Sequence, residues 1–67
     1  DYSDVLEAVL SLPQKYKDVV YHYYYEEYSA AEISRILHKN VNTVYTLLNR
    51  GRQALKTKLE EVDEHGK

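Results

Sequence analysis

Two helices separated by a turn of only two residues are predicted between residues 29 and 55, and this spacing constrains the fold more than any other feature of the sequence. Ser29 and Glu32 open the first of these helices as a capping box, in which each side chain accepts a hydrogen bond from the backbone N–H of the other residue. This helix ends near Leu37, and Asn40 is a favourable N-cap for the second. Because so few residues lie between them, the two helices must turn sharply against each other.

Apolar periodicity predicts two more helices before this pair. In the first, apolar residues recur at helical spacing at Val5, Leu6, Val9 and Leu10. Pro13 suits the first turn of the second helix, over about residues 14–26, because its missing N–H costs little there. The tyrosines at positions 21 and 23–25 have good strand propensity, but no Asn-Gly or Asp-Gly turn flanks them. We therefore favour a helix over a strand.

The last helix is long, and its apolar stripe runs from Val44 to Leu59. Gly51 lies inside it and costs about 1 kcal/mol relative to alanine, which predicts a soft spot where the helix bends. The acidic residues 61–67 are expected to form a frayed tail. The predicted fold class is all-α: a single four-helix domain over residues 1–67, containing a helix-turn-helix with a long C-terminal recognition helix.

An ordinary helical hairpin inside a bundle is the alternative to a helix-turn-helix, because short loops and apolar stripes fit both. His38 occupies the turn position often given to glycine. A left-handed backbone there strains most residues, although histidine tolerates it better than others. The pattern alone leaves both interpretations open.

Charge is segregated along the chain. No acidic residue occurs from Ile33 to Leu59, and this segment carries six basic residues, Arg35, Lys39, Arg50, Arg52, Lys56 and Lys58. Residues 1–32 have a net charge of −5, and residues 60–67 have a net charge of −3. A positive two-helix unit in an otherwise acidic chain indicates a polyanionic partner and favours nucleic acid.

The sequence carries no sign of a catalytic, metal or membrane site. It has no cysteine, which excludes a disulfide framework and a thiolate metal site and fits a cytoplasmic location. The histidines lack ligand spacing, and the serines lack a base for nucleophilic catalysis. No apolar run approaches the roughly 18 residues of a membrane span. We therefore expect a non-enzyme with no cofactor, no small-molecule substrate and no membrane partner.

Four motifs in register resemble the fourth conserved region of bacterial sigma factors, and most closely that of the extracytoplasmic-function type. They are Leu12-Pro13, the run Ser29–Ser34, Asn42-Thr43-Val44 and Arg50-Gly51-Arg52. Each motif alone is weak, but the four at the right spacing are specific. The resemblance implies a C-terminal fragment of a longer sigma factor that binds the minus-35 element of double-stranded promoter DNA within RNA polymerase holoenzyme. It further implies docking on the β-subunit flap and an anti-sigma factor as partner.

The resemblance also implies which residues contact DNA. Those at the start and along the outer face of the fourth helix are Val41, Asn42, Thr43, Tyr45, Thr46, Asn49 and Arg50. Asn49 is suited to adenine, and Arg50 is suited to guanine or to a phosphate. Lys39, Arg52 and Lys56 are expected to make non-specific phosphate contacts.

The chain departs from the family pattern at five positions. Tyr45, Leu47 and Tyr23 stand where basic residues are common, and Glu27 and His38 stand where glycine is usual. Each lost phosphate contact lowers the salt slope by nearly one unit, so we expect weak DNA binding by the isolated domain. Tyr45 can instead contact a thymine methyl or a phosphate, and Leu47 can belong to the core.

A different class of function fits the same fold. The chain can be a protein-interaction module with weak DNA contacts, or a helix-turn-helix regulator that is not a sigma factor. The tyrosine cluster can likewise form a stacking platform for single strands. We favour the interpretation that it fills the core and interfaces, since the chain has no Phe, Trp or Met.

Overall fold

The computed structural model describes the backbone of residues 2–65 and the side chains of residues 4–61. Its four helices are α1 (Tyr2–Leu10), α2 (Gln14–Tyr24), α3 (Ala30–Leu37) and α4 (Val41–His65). The described residues contain no strand, so the predicted all-α, four-helix domain with a long last helix is confirmed. The tyrosine run lies in and just after α2, which settles the choice between helix and strand.

One hydrophobic core joins all four helices. Its buried members are Val9, Leu12, Val19, Val20, Ala30, Ile33, Val44, Leu47 and Leu48. Burying an aliphatic side chain of this size contributes about 1.5–3 kcal/mol, so these few residues carry most of the stability of a small domain. The longest helix, α4, packs against each of the other three, and it therefore holds the fold together.

The turn between α3 and α4 is built as the sequence predicts. Glu32 N donates to Ser29 Oγ at 3.1 Å, and Ser29 N donates to Glu32 Oε1 at 2.9 Å, which completes the capping box. His38 ends α3 in the left-handed conformation, at φ 55° and ψ 47°. Asn40 Oδ1 accepts from Asn42 N at 2.7 Å and caps α4. Two capped helix ends thus fix the angle of the helix-turn-helix.

The ends of α2 differ slightly from the sequence-based expectation. Pro13 is the N-cap of α2 and lies just before its first turn, where its carbonyl accepts from Tyr16 N and Lys17 N, each at 2.9 Å. The helix ends at Tyr24, two residues earlier than expected. Glu27 then takes a left-handed backbone at φ 59°, which directs the chain into α3.

Gly51 has a role beyond its sequence-based interpretation. It is buried, and a Cβ atom there would lie 2.7 Å from Val20 Cγ2 and 3.4 Å from Tyr16 Cβ. The glycine therefore marks a close approach of α4 to α2, a role that the interpretation as a soft spot did not include. A bend of α4 at this residue stays a prediction. The frayed tail over residues 61–67 stays a prediction: α4 is helical to His65, and residues 66 and 67 lie outside the described part.

Candidate nucleic-acid interface

The exposed side of α4 and the turn before it carry most of the residues that the sequence predicts to contact DNA. Nine of the ten are exposed: Lys39, Asn42, Thr43, Tyr45, Thr46, Asn49, Arg50, Arg52 and Lys56. The tenth, Val41, is half-buried and packs against the core. The opposite face of the helix holds Val44, Leu47, Leu48 and Gly51, all buried. One side of α4 thus secures the helix, while the other presents polar and basic groups to solvent.

The first turn of α4 is suited to an anion. It contains no acidic residue, so nothing on this turn neutralises the positive end of the helix dipole. The Asn40 side chain accepts a hydrogen bond from the N–H of Asn42, and the Asn40 carbonyl accepts one from the N–H of Val44 at 3.1 Å. The first N–H groups of a helix have no partner within the helix, and such groups are suited to bind a phosphate.

The polar side chains further along α4 are partly committed to local hydrogen bonds. The Thr46 hydroxyl donates to the Asn42 carbonyl at 3.1 Å, which leaves its oxygen as an acceptor for an outside group. Arg52 Nη2 donates to Asn49 Oδ1 at 3.2 Å. Tyr45 is 53% exposed, so its ring and hydroxyl are accessible to a partner.

Arg50 and Arg52 lie on opposite flanks of α4. Two positions along a helix of 3.6 residues per turn rotate a side chain by about 200°. Gly51, between them, faces α2. Arg52 borders an apolar groove together with residues of α1 and α2. The rotation along the helix puts Arg50 on the other flank. The sequence motif therefore does not place its two arginines side by side.

That apolar groove is a second surface, which the sequence analysis missed. It has a volume of about 310 Å³ and lies where α1, α2 and α4 meet, lined by Val5, Val9, Val20, Tyr24, Tyr25, Arg52 and Leu55. Leu10 (51% exposed) and Leu6 (36%) lie on α1. The groove depends on how three helices meet, so no local pattern of the sequence indicates it.

The tyrosines divide between core and surface. Tyr16, Tyr25 and Tyr28 are half-buried against the core, in agreement with the prediction. Tyr21, Tyr23 and Tyr24 are exposed and do not belong to the core, so a role for them at an interface stays a prediction. The rings of Tyr21 and Tyr25 stack with their centroids 5.2 Å apart, at the surface of α2. These three exposed tyrosines belong to α2, and Tyr24 lines the apolar groove together with Arg52 of α4.

Leu47 and His22 differ in burial. Leu47 is buried at 9% exposure, which confirms its assignment to the core. His22 is half-buried on α2 and pairs through Nδ1 with Glu26 Oε1. Among the described residues, no group of three potential ligands is placed to hold a metal ion.

The fold and this surface define a helix-turn-helix domain with an exposed basic helix. Residues 2–55 match the family model for sigma-70, region 4, and the chain belongs to this family. Region 4 is the minus-35 DNA-binding region of sigma factors. The resemblance seen in the sequence motifs is thereby confirmed.

A similar protein indicates the type of sigma factor. The chain is 40% identical over 58 residues to the ECF RNA polymerase sigma factor SigW of Bacillus subtilis (strain 168). The alignment covers 87% of this chain and 31% of that relative, so the chain spans about a third of its length. Within the described residues, no helix has the length and apolar character needed to span a membrane.

Proposed function

We propose that this domain binds the minus-35 element of promoter DNA through the outer face of α4, as part of an extracytoplasmic-function sigma factor in RNA polymerase holoenzyme. Its role is to direct transcription initiation in the cytoplasm by binding, without catalysis. The observation that carries the proposal is the outer face of α4 from Val41 to Leu59, which is free of acidic residues and begins with a capped, uncompensated helix N-terminus. That face is firmly held, because the opposite side of the helix is core.

The position of each residue along α4 suggests its role. The first turn, with Asn42 and Thr43, enters the major groove, since recognition helices read bases mainly near their N-termini. Tyr45 and Thr46 lie next along the exposed face, where a ring or methyl group can meet a thymine methyl. Arg50 is about 13 Å from the start of the helix at 1.5 Å per residue, which suits a base or phosphate at the edge of the groove.

Basic residues outside the first turn anchor the domain on the phosphates. Lys39 in the turn and Lys56 late in α4 lie at opposite ends of the exposed face. Such contacts fix register without carrying sequence information. Few phosphate contacts imply weak binding by the isolated domain, so promoter affinity depends on the remainder of the holoenzyme.

We further propose that the apolar groove receives protein. The β-subunit flap is the proposed partner in the holoenzyme, and an anti-sigma factor is the proposed partner in the inactive state. The groove offers apolar area, and acidic residues such as Asp4 and Glu7 on α1 keep this side away from DNA. An interaction module with weak DNA contacts is the second candidate function, and it is the groove that favours it.

An amide-shift titration of the labelled domain with short promoter-like duplexes, at low and at higher salt, tests the proposal. Shifts should concentrate between residues 40 and 52 and shrink as salt rises, because the binding is partly electrostatic. The matched control is a peptide from the β flap, which should instead shift groove residues such as Val5 and Tyr24. If DNA in excess leaves residues 40–52 unshifted, the interaction-module function replaces the proposed one.

A further inference from the structure

Asn49 and Arg52 form a side-chain pair on the outer face of α4. Arg52 Nη2 donates to Asn49 Oδ1 at 3.2 Å. Side chains on a helix lean toward its N-terminus, which brings the guanidinium of Arg52 over the residue three positions earlier. Arg52 also borders the apolar groove beside Tyr24 and Leu55, so its stem has apolar support on the α2 side. The oxygen of the Asn49 carboxamide is thereby held toward Arg52.

This orientation determines what the pair offers to a base. An asparagine that binds adenine accepts from N6 with its oxygen and donates to N7 with its amide. Guanine presents only acceptors, N7 and O6, in the major groove. Arg52 occupies one of the two lone pairs of Asn49 Oδ1. The Asn49 amide hydrogens and the unused N–H groups of Arg52 are donors, so the donors of the pair outnumber its one remaining lone pair. A surface on which donors predominate complements guanine better than adenine.

We propose that Asn49 and Arg52 act together as a guanine reader, with Arg52 as the positioning residue that directs the Asn49 amide. The inference rests on the proposed function, since it specifies a base within the same DNA-binding face. It differs from the roles expected from sequence, in which Asn49 binds adenine and Arg52 only a phosphate. The other N–H groups of Arg52 still allow a phosphate contact, so the test must separate base preference from affinity.

Selection of DNA duplexes from a random pool separates base preference from overall affinity. The wild-type domain should prefer guanine over adenine about tenfold at one position, as a bidentate base contact allows. Arg52→Ala frees the Asn49 oxygen, and the preference at that position should move to adenine. Arg52→Lys keeps a cationic donor and should retain guanine with a smaller preference. Lys56→Ala is the matched control, because it removes one exposed positive charge of α4 and should leave the guanine in place.

A measurement without DNA tests the pair itself. The side-chain amide resonances of Asn49 should shift in Arg52→Ala and stay unchanged in Lys56→Ala. Unchanged resonances in both variants would show that the pair does not form and would overturn the inference. So would an Arg52→Ala domain that loses affinity equally for all sequences and keeps its guanine. If the wild-type domain selects no sequence at all, the proposed promoter-binding function fails together with the guanine reader. If it selects a sequence but Arg52→Ala does not change the preferred base, only the guanine reader fails.

Discussion

At Gly51 the absent side chain is what allows α4 to lie against α2. A Cβ atom at this position would approach Val20 Cγ2 to 2.7 Å, well inside van der Waals contact. Val20 is fully buried, and a valine in a helix strongly prefers one χ1 rotamer, so moving its methyl group costs energy. The cost of glycine in a helix is thus offset by close packing of the two helices.

We expect Gly51→Ala to lower the free energy of unfolding by about 1 kcal/mol. Overpacking costs about 1–3 kcal/mol, and the gain in helix propensity returns about 1 kcal/mol. Denaturant titration measures the difference. In a Val20→Ala background the clash is gone, and the same substitution should become stabilising relative to Val20→Ala alone. A stabilised single variant would show that α4 and α2 do not meet closely here.

Two residues with side chains hold the left-handed conformation that glycine adopts without strain. They are Glu27, at φ 59°, and His38, at φ 55°. For most L-residues this conformation costs about 1–2 kcal/mol, although histidine tolerates it better than glutamate. The strain lies on either side of α3, so it bears on the orientation of the whole helix-turn-helix.

Glu27→Gly should raise the melting temperature, with a gain of about 1 kcal/mol, and His38→Gly should raise it by less. Part of each gain is lost because glycine increases the entropy of the unfolded chain. Thermal unfolding followed by circular dichroism measures both. Glu27→Ala and His38→Ala are the controls, since they remove the side chain but keep the Cβ strain and should give little change. Equal effects of glycine and alanine would assign the change to the side chain instead.

At the scale of elements, the helix ends follow from the sequence, and the contacts between helices do not. Ser29, Glu32 and Asn40 could be predicted as caps because a cap is decided by residues two or three positions away. Gly51 and Val20 are far apart in the sequence, so no local sequence pattern predicts their contact. The exposed tyrosines were missed for a related reason: with tyrosines at consecutive positions of α2, periodicity does not show which ones face the core.

The capping box gives α3 a dependence on pH. The hydrogen bond from the Ser29 backbone N–H, and next the one with its side chain, hold the pKa of Glu32 below its ordinary value of 4.5, and Arg35 adds to this. A lowered pKa in the folded state means that the carboxylate stabilises the fold above the unfolded pKa. This contribution is lost as pH falls through the lowered folded value.

Glu32→Gln isolates the charge, because glutamine can keep the capping hydrogen bond. The variant should melt below wild type at neutral pH, and the two melting temperatures should converge as pH falls below 4.5. Thermal unfolding across pH 2 to 7 measures this. Ser29→Ala removes an uncharged acceptor and should lower stability by about 1 kcal/mol over the whole range. A constant difference between Glu32→Gln and wild type would mean that the charge contributes nothing.

At the scale of the whole molecule, α4 determines both shape and function. Its 25 residues span about 37 Å at 1.5 Å per residue, close to the 42 Å length of the molecule. Three shorter helices cover one side of it, and the other side stays open. The segment from Ile33 to Leu59 is basic, whereas residues 1–32 carry a net charge of −5, so the two parts of the domain differ in charge.

This division of charge predicts a contrast between two lysines in the salt dependence of DNA binding. Lys56 lies on the outer face of α4, and Lys15 is exposed on α2; replacing either by alanine removes one positive charge. Loss of a phosphate contact lowers the slope of log affinity against log salt by nearly one unit. Lys56→Ala should therefore weaken binding to all duplexes alike and reduce the slope by about one, whereas Lys15→Ala should leave the slope unchanged. Fluorescence anisotropy between about 50 and 200 mM salt, the range over which such contacts are resolved, measures both slopes. Equal reductions of the slope in the two variants would mean that the affinity depends on net charge alone. DNA would then bind without preference for the outer face of α4.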